Sequence, residues 1–362
     1  MKRDDGIVPL SPFGGFVSTL PIFGQGRHLL STQQFDSEAL EKLFNLADVV
    51  LPIAQRKAIC TVLDGAVLGS LFFEPSTRTR LSFESAFLRL GGEVTTTTGF
   101  TFSSMAKGES IHDTARVVSG YSDVLVVRHP DKGSVAEFAA ASLVPVMNAG
   151  DGTGEHPSQA LLDVYTLSRE LAKRGESMDE RTVAVVGDLK YGRTVHSLMK
   201  LLSLRKNYTF KTFSPPSLEL PNEIAEYALA RGHKVISCDS VVEAVAGSDA
   251  VYCTRVQRER MTDEVLRSAN VSGNLLNKDL LAQADALDII IMHPLPRDSR
   301  LDSYDLSTDV DDLPGLSIFR QTDNGLRVRM AIFLTALGCS ADAVEATMKQ
   351  RPWRSDLDWP NN

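Results

Sequence analysis

The sequence predicts an α/β fold with mainly parallel sheets, and three observations carry that prediction. Short apolar runs of strand length alternate with helical runs along most of the chain, the pattern of parallel strands joined by helical crossovers. At 362 residues, 43% of them apolar, the chain is long enough for about two domains and can fill two cores. Arginine also recurs just after the strand-like runs, where open α/β sheets bind their ligands.

Taken in order, the first 27 residues are rich in Gly, Pro and Phe, show no period and read as an extension. A helical stretch follows over 36–53. Residues 66–73 form an apolar run broken only by Gly69 and Ser70, which reads as a buried strand. Pro75 ends that run, and Ser76 opens a helical pattern with Phe83, Phe87 and Leu90 on one face. Further strands are expected at 123–128, 143–148, 182–188, 207–213, 233–237, 249–255 and 288–293. Further helices are expected at 111–121, 157–174, 222–230 and 327–337, with a polar loop over 174–180. There is no internal repeat and no low-complexity tract.

Composition narrows the function. A net charge of −8 argues against a nucleic-acid surface. Cys60, Cys238, Cys253 and Cys339 show no C-x-x-C spacing and read as reduced thiols of a cytoplasmic protein. No run approaches the roughly 18 apolar residues of a membrane span, and residues 1–12 hold two acids and no apolar stretch of a secretory signal.

Residues 72–80 read Phe-Phe-Glu-Pro-Ser-Thr-Arg-Thr-Arg and are the most informative stretch. Ser76, Thr77 and Thr79 crowd the first turn of a helix, where unpaired N–H groups and the dipole favour an anion. Arg78 and Arg80 add planar, permanently charged donors that match phosphate oxygens. A blander reading is an ordinary N-cap with solvated arginines, Arg80 pairing with Glu84 one turn on. The other strand ends favour the anion site. They carry Arg128-His-Pro, the 148–159 stretch from Asn148 through His156 to Gln159, Arg193-Thr194, Arg255-Val-Gln257, and His293-Pro-Leu-Pro-Arg297. An arginine at five of six such ends argues for a ligand with several negative charges. Residues 187–194 have the spacing of a nucleotide P-loop, but Arg193 stands where lysine is required. No later strand end supplies the acid that would hold magnesium.

These motifs together resemble the catalytic chains of the aspartate carbamoyltransferase family. The match includes 72–80, Ser103 with Lys107-Gly-Glu-Ser, 128–130, 148–159, 187–194, Arg255 through Arg260, 293–297, Phe319-Arg-Gln, Asn324-Gly-Leu and Val328-Arg-Met, and it covers roughly residues 28–340. The resemblance implies two α/β domains, each with a mainly parallel sheet flanked by helices. Residues 28–157 would bind carbamoyl phosphate and 158–317 aspartate, after an N-terminal extension over 1–27. The C-terminal segment 318–350, with a helix near 327–338, would pack back on the first domain.

By the same resemblance, Ser76, Thr77, Arg78 and Thr79 hold the phosphate. Thr79, Arg128 and His156 point donors at the carbamoyl oxygen, where losing one donor typically costs ~10²–10³ in rate. Gln159 and the backbone carbonyls of Leu295 and Pro296 accept from the carbamoyl NH₂. Arg193, Arg255 and Gln257 hold aspartate. Ser103 and Lys107 reach a neighbouring subunit's site, and Lys107 also meets aspartate. Glu74 closes the domains by pairing with Arg193 and Arg260. No cofactor and no metal are implied, because the aspartate amine is itself the nucleophile. A homotrimer is implied, with room for a regulatory or dihydroorotase-like partner chain. Residue by residue, alternatives stand: His156 as a plain N-cap before Pro157, Glu74 in a surface pair, and Lys107 solvated on a loop.

Two rival functions are weaker. Ornithine carbamoyltransferases share the anion motif but carry His-Cys-Leu-Pro and a Ser-Met-Gly loop, where this chain has His293-Pro294 and the arginines Arg255 and Arg260. A catalytically silent scaffold is disfavoured because every expected site residue is present. The chain departs from the family pattern at 261–277 and 298–317, which bears on regulation and closure rather than on substrate contact.

Overall fold

The computed structural model describes residues 7–9, 16–18, 23, 27–99, 104–215, 217–257, 276–297 and 305–353. Two short antiparallel strands, β1 (Ile7–Pro9) and β2 (Phe16–Ser18), lie in the N-terminal segment that shows no period in the sequence. After β3 (Ala58–Cys60), a first sheet is built from β4 (Val67–Phe72), β5 (Glu93–Thr98), β6 (Val124–His129) and β7 (Val146–Asp151). Its order is β5-β4-β6-β7, all parallel. A second parallel sheet follows, with β8 (Thr182–Gly187), β9 (Thr209–Phe213), β10 (Lys234–Ser237), β11 (Ala250–Thr254) and β12 (Ile290–Met292) in the order β10-β9-β8-β11-β12. Near the C-terminus β13 (Met348–Gln350) returns to pair antiparallel with β3.

Strand alternation sends side chains to two cores. On one face of the first sheet Leu68, Val124, Val126 and Met147 join a core that also takes Val183, Val185 and Tyr252 from the second sheet. That shared core is filled by the helices Pro157–Lys173 and Ile318–Ala336, which pack on each other. The opposite faces have cores of their own, Leu71, Leu125 and Val127 in the first sheet and Ala184, Val186 and Ile291 in the second. Among the described residues no single helix is long and apolar enough to cross a membrane.

Three departures from expectation have physical causes. The helix expected over 36–53 is two, Ser37–Val49 capped by the Asp36 carboxylate on the Ala39 N–H at 2.8 Å, and Leu51–Ala54. Pro52 has no N–H to continue the first ladder and starts a new turn instead. Strand β5 reads Glu-Val-Thr-Thr-Thr-Thr and was not expected. It is an edge strand whose threonines suit a pleat without supplying an apolar run. The helix expected from 327 begins at Ile318, and beside the buried Ile318 its first turns hide polar side chains: Gln321 donates to Asp163 and Asn324 donates to Thr166.

Candidate active site

Each parallel sheet reverses its winding at one place, between β4 and β6 in the first and between β8 and β11 in the second. Ligand crevices form at such switch points beyond the carboxyl ends of the strands. Here the two crevices meet in one cavity of about 460 Å³. Its walls include Glu74, Ser76, Thr77, Arg78, Thr79, Arg128, His156, Gln159, Arg193, Arg255, Gln257, Leu295 and Pro296. Residues chosen from scattered strand ends therefore share one space.

Ser76 stands at the N-cap of the helix Thr77–Arg89 but makes no side-chain capping bond, so this is not an ordinary capped start. Phe83 and Phe87 anchor the helix in the core, both fully buried. Glu84 accepts from the hydroxyls of Ser70 (2.9 Å) and Thr96 (3.1 Å), which takes it away from a pairing with Arg80. Arg78 lines the cavity, whereas Arg80 does not. Arg78 is held below its ordinary pKa by burial and by the positive charge of Arg255. Two guanidiniums from opposite sheets thus face each other across the cavity, a repulsion that an anionic ligand relieves.

Arg128 leaves β6 in register with Phe72 of β4, which sets it beside Glu74. The two form an ion pair at 2.9 Å, and Arg128 also donates to the Ala149 carbonyl at 3.3 Å. The partner that the structure gives Glu74 is therefore an arginine of its own sheet, where a bridge to Arg193 and Arg260 was expected. Arg260 and Ser103 lie outside the described residues. Lys107, at the end of the short turn Ser104–Lys107, is exposed and does not line the cavity.

Arg193 is buried at the first position of the helix Arg193–Leu202 and donates to the Gly152 carbonyl of the first sheet's last loop. Gly150 lies between two arginines: a Cβ there would stand 3.0 Å from Arg128 Nη1 and 3.3 Å from Arg193 Nη2, at a φ of +131°. Only glycine fits that place without pushing them. Asp188, fully buried, accepts from the backbone N–H of Tyr191 (2.9 Å) and of Gln257 (3.0 Å). It thereby joins the loop that carries Arg193 to the strand end that carries Arg255. Gln257 donates to the Tyr191 carbonyl at 3.0 Å and tightens the same joint. This loop has P-loop spacing but not its role, since Arg193 faces a backbone carbonyl of the other sheet.

His156 occupies the N-cap position of the helix Pro157–Lys173 without a side-chain capping bond and is 5% exposed, which sets aside its reading as a plain cap. One turn on, Gln159 donates its amide to Asp163 at 2.8 Å. In the 293–296 turn the Leu295 N–H donates to His293 Nδ1 at 2.8 Å, and the Leu295–Pro296 bond is cis. His293 Nε2 meets Asp305 at 2.9 Å and the His293 N–H donates to Gln321, so this histidine holds the turn from behind. Arg297 leaves the cavity and pairs with Asp311.

Several lining residues are given no role by the sequence, among them Ser82, Thr194, Thr254, Gln321 and Arg329, although Thr194, Gln321 and Arg329 lie inside the 187–194, Phe319-Arg-Gln and Val328-Arg-Met motifs. Arg329 is buried, donates to the Ser82 hydroxyl at 2.9 Å and has its pKa pushed down to about 10 by burial. For Thr194, Gln321 and Arg329 the usable sign was their place inside the matched motifs. Among the described residues no group of His, Cys, Asp or Glu comes together as a metal-ligand set.

Comparison with known proteins agrees with this geometry. Residues 27–169 match the model of the aspartate/ornithine carbamoyltransferase carbamoyl-P binding domain, and residues 179–336 match that of the Asp/Orn binding domain. The aspartate carbamoyltransferase catalytic subunit of Dichelobacter nodosus is 52% identical over 91% of this chain and 95% of its own length. That of Methanocaldococcus jannaschii is 43% identical over 84% and 96%. The structure of the Trypanosoma cruzi aspartate transcarbamoylase in complex with carbamoyl phosphate and aspartate superposes with a TM-score of 0.78 at 35% identity, covering 88% of this chain and 99% of that one. With both domain models matched over most of its length, the chain belongs to the aspartate/ornithine carbamoyltransferase family.

Proposed function

We propose that this protein is an aspartate carbamoyltransferase catalytic chain, which joins carbamoyl phosphate and L-aspartate into N-carbamoyl-L-aspartate and phosphate for pyrimidine synthesis. The observation that carries this reading is the pair of opposed cationic walls: Arg78 and Arg128 from the first sheet, Arg193 and Arg255 from the second, around one cavity. One substrate brings a phosphate and the other two carboxylates, which suits arginine on both walls.

Ser76, Thr77, Arg78 and Thr79 hold the phosphate at the open helix start. Thr79, Arg128 and His156 aim donors at the carbamoyl oxygen. The neutral amine nitrogen attacks the carbamoyl carbon, the bond from that carbon to the bridging oxygen breaks, and the phosphate departs with that oxygen and takes the amine proton. Charge on the carbamoyl oxygen grows as the bond forms, so preorganised donors there lower the barrier. Gln159 and the Leu295 and Pro296 carbonyls take the NH₂, while Arg193, Arg255 and Gln257 align aspartate. Glu74 with Arg193 and Arg260 draws the halves together around bound substrate.

The first domain is residues 28–157 with 318–350, and the second 158–317. The functional unit is a cytoplasmic homotrimer in which Ser103 and Lys107 complete a neighbour's site, an idea supported by the position of Lys107 outside its own cavity. Ornithine as second substrate is opposed by the same arginines, which repel an ammonium. The test is product formation by the purified chain from carbamoyl phosphate with aspartate or with ornithine. Carbamoyl-aspartate alone is expected. Citrulline as the main product would select the ornithine enzyme, and no product from either would select the scaffold.

A further inference from the structure

Asp163 lies on the helix Pro157–Lys173 with no solvent exposure and does not itself line the cavity, but it bonds two residues that do, Gln159 and Gln321. A buried carboxyl is costly unless its oxygens are used. Both oxygens of Asp163 accept, yet burial outweighs its three donors and pushes its pKa up to about 7. Oδ1 takes the amides of Gln159 at 2.8 Å and Gln321 at 2.6 Å, and Oδ2 takes the Tyr252 hydroxyl at 2.7 Å.

The consequence lies in what each donor must do with its other end. A carboxylate accepts only, so an amide beside it has to present NH₂ and turn its carbonyl oxygen away. For Gln159 that sends Oε1 toward the cavity, where it can only accept. For Gln321 it sends Oε1 to the backbone N–H of His293, which it meets at 3.0 Å. His293 in turn receives the Leu295 N–H on Nδ1 at 2.8 Å and so sets the turn that carries the Leu295 and Pro296 carbonyls. One buried carboxyl oxygen therefore sets the orientation of the Gln159 amide and, through Gln321 and His293, the position of the turn that carries the two carbonyls.

We propose that Asp163 is a positioning residue for recognition of the carbamoyl NH₂: it locks Gln159 as an acceptor directly and the 293–296 turn through Gln321. Without that lock the Gln159 amide has no reason to prefer one orientation, and its NH₂ would oppose the substrate's NH₂ in a share of molecules. The inference rests on the reading of Gln159 as the acceptor for carbamoyl phosphate.

The test compares carbamoyl phosphate with acetyl phosphate, which has the same phosphate but a methyl group in place of NH₂. In the assembled enzyme the KM for carbamoyl phosphate and the competitive Ki for acetyl phosphate are measured for wild type and Asp163→Asn. Any general loosening, or the lost charge near the phosphate, shifts both constants together. Loss of amide polarity raises only the first, and the ratio of KM to Ki is expected to rise about tenfold, the loss of one good hydrogen bond. An unchanged ratio in a folded, active Asp163→Asn enzyme overturns the proposal. If Asp163→Asn does not fold, Gln321→Met, of similar length and without a donor or acceptor for the turn, is read the same way, with the same rise expected and an unchanged ratio again decisive. Gln159→Ala separates the two layers. If Gln159→Ala also leaves the ratio unchanged, the acceptor role of Gln159 fails and the proposal falls with it. If Gln159→Ala raises the ratio and neither deeper variant does, only the role of Asp163 fails.

Discussion

Arg255 shows how much of this site is electrostatics held in an unfavourable arrangement. It leaves β11 half-buried, its Nη1 donates to the carbonyl of the next residue at 3.4 Å, and its charge bears on Arg78 across the cavity. Two like charges lining one cavity favour an anionic ligand there. Because Arg255 belongs to the wall opposite the proposed phosphate site, Arg255→Ala should raise the KM for aspartate and leave that for carbamoyl phosphate nearly unchanged. Losing a charge-assisted contact corresponds to roughly 1.5–3 kcal/mol of binding. Steady-state kinetics with each substrate varied in turn check this, and an equal loss for both would contradict the assignment.

At the scale of elements, the first sheet is completed by chain that contributes no full strand. Leu29 bridges to Met147, with its N–H on the Val146 carbonyl at 2.9 Å, and His28 Nδ1 accepts from the Val146 N–H at 3.1 Å. Three residues beyond Leu29, Thr32 donates to Glu155, the residue before His156, while Lys200 of the helix Arg193–Leu202 meets the same carboxylate at 3.2 Å. Burial pushes Glu155 up, but Lys200 and the Thr32 donors outweigh it, and its pKa lies below the ordinary value. His28 is pushed down to about 4 by burial first and by Arg27 second. It stays neutral in the folded chain, while the unfolded chain takes a proton at about pH 6.5. Its contribution is therefore complete above about pH 6.5 and is lost as pH falls from there through 4. After allowance for its partial exposure the loss should be no more than about 1–2 kcal/mol. Denaturant unfolding of wild type and His28→Gln between pH 7 and 4 measures it. The wild-type curve should fall more steeply, and parallel curves would rule His28 out.

The whole molecule raises the question of where one site ends and the next begins. The chain's own cavity gathers residues from both sheets, yet Lys107 stands exposed away from it. A cation in a water-poor cleft beside a phosphate is worth far more than the same cation in solvent, which gives a reason for Lys107 to act in another copy. If sites are shared, Lys107→Ala and Arg78→Ala subunits, each inactive alone, should regain part of their activity when mixed under exchange conditions. Some sites in mixed trimers then carry both defects and some carry neither. Exchange demonstrated by mass or label, with no return of activity, would show that each site is built from a single chain.

The sequence by itself determined most of what is local. Strand β4, the break at Pro75 and the helix that buries Phe83 and Phe87 are set by apolar spacing and one proline, and the motif at 72–80 could be read as an anion site from them. The arginines after other strands were legible for the same reason, since strand ends are visible in hydropathy and parallel sheets put ligands there. Tertiary structure decided which of these ends face one another. It brought Arg78 opposite Arg255, left Arg297 outside on Asp311, and gave Glu74 to Arg128. It also decided what the helix Ile318–Ala336 hides. Gln321 and Asn324 look like surface residues in sequence, because a buried polar side chain is stable only when partners from distant elements satisfy it, and those partners, Asp163 and Thr166, lie 158 residues earlier in the chain.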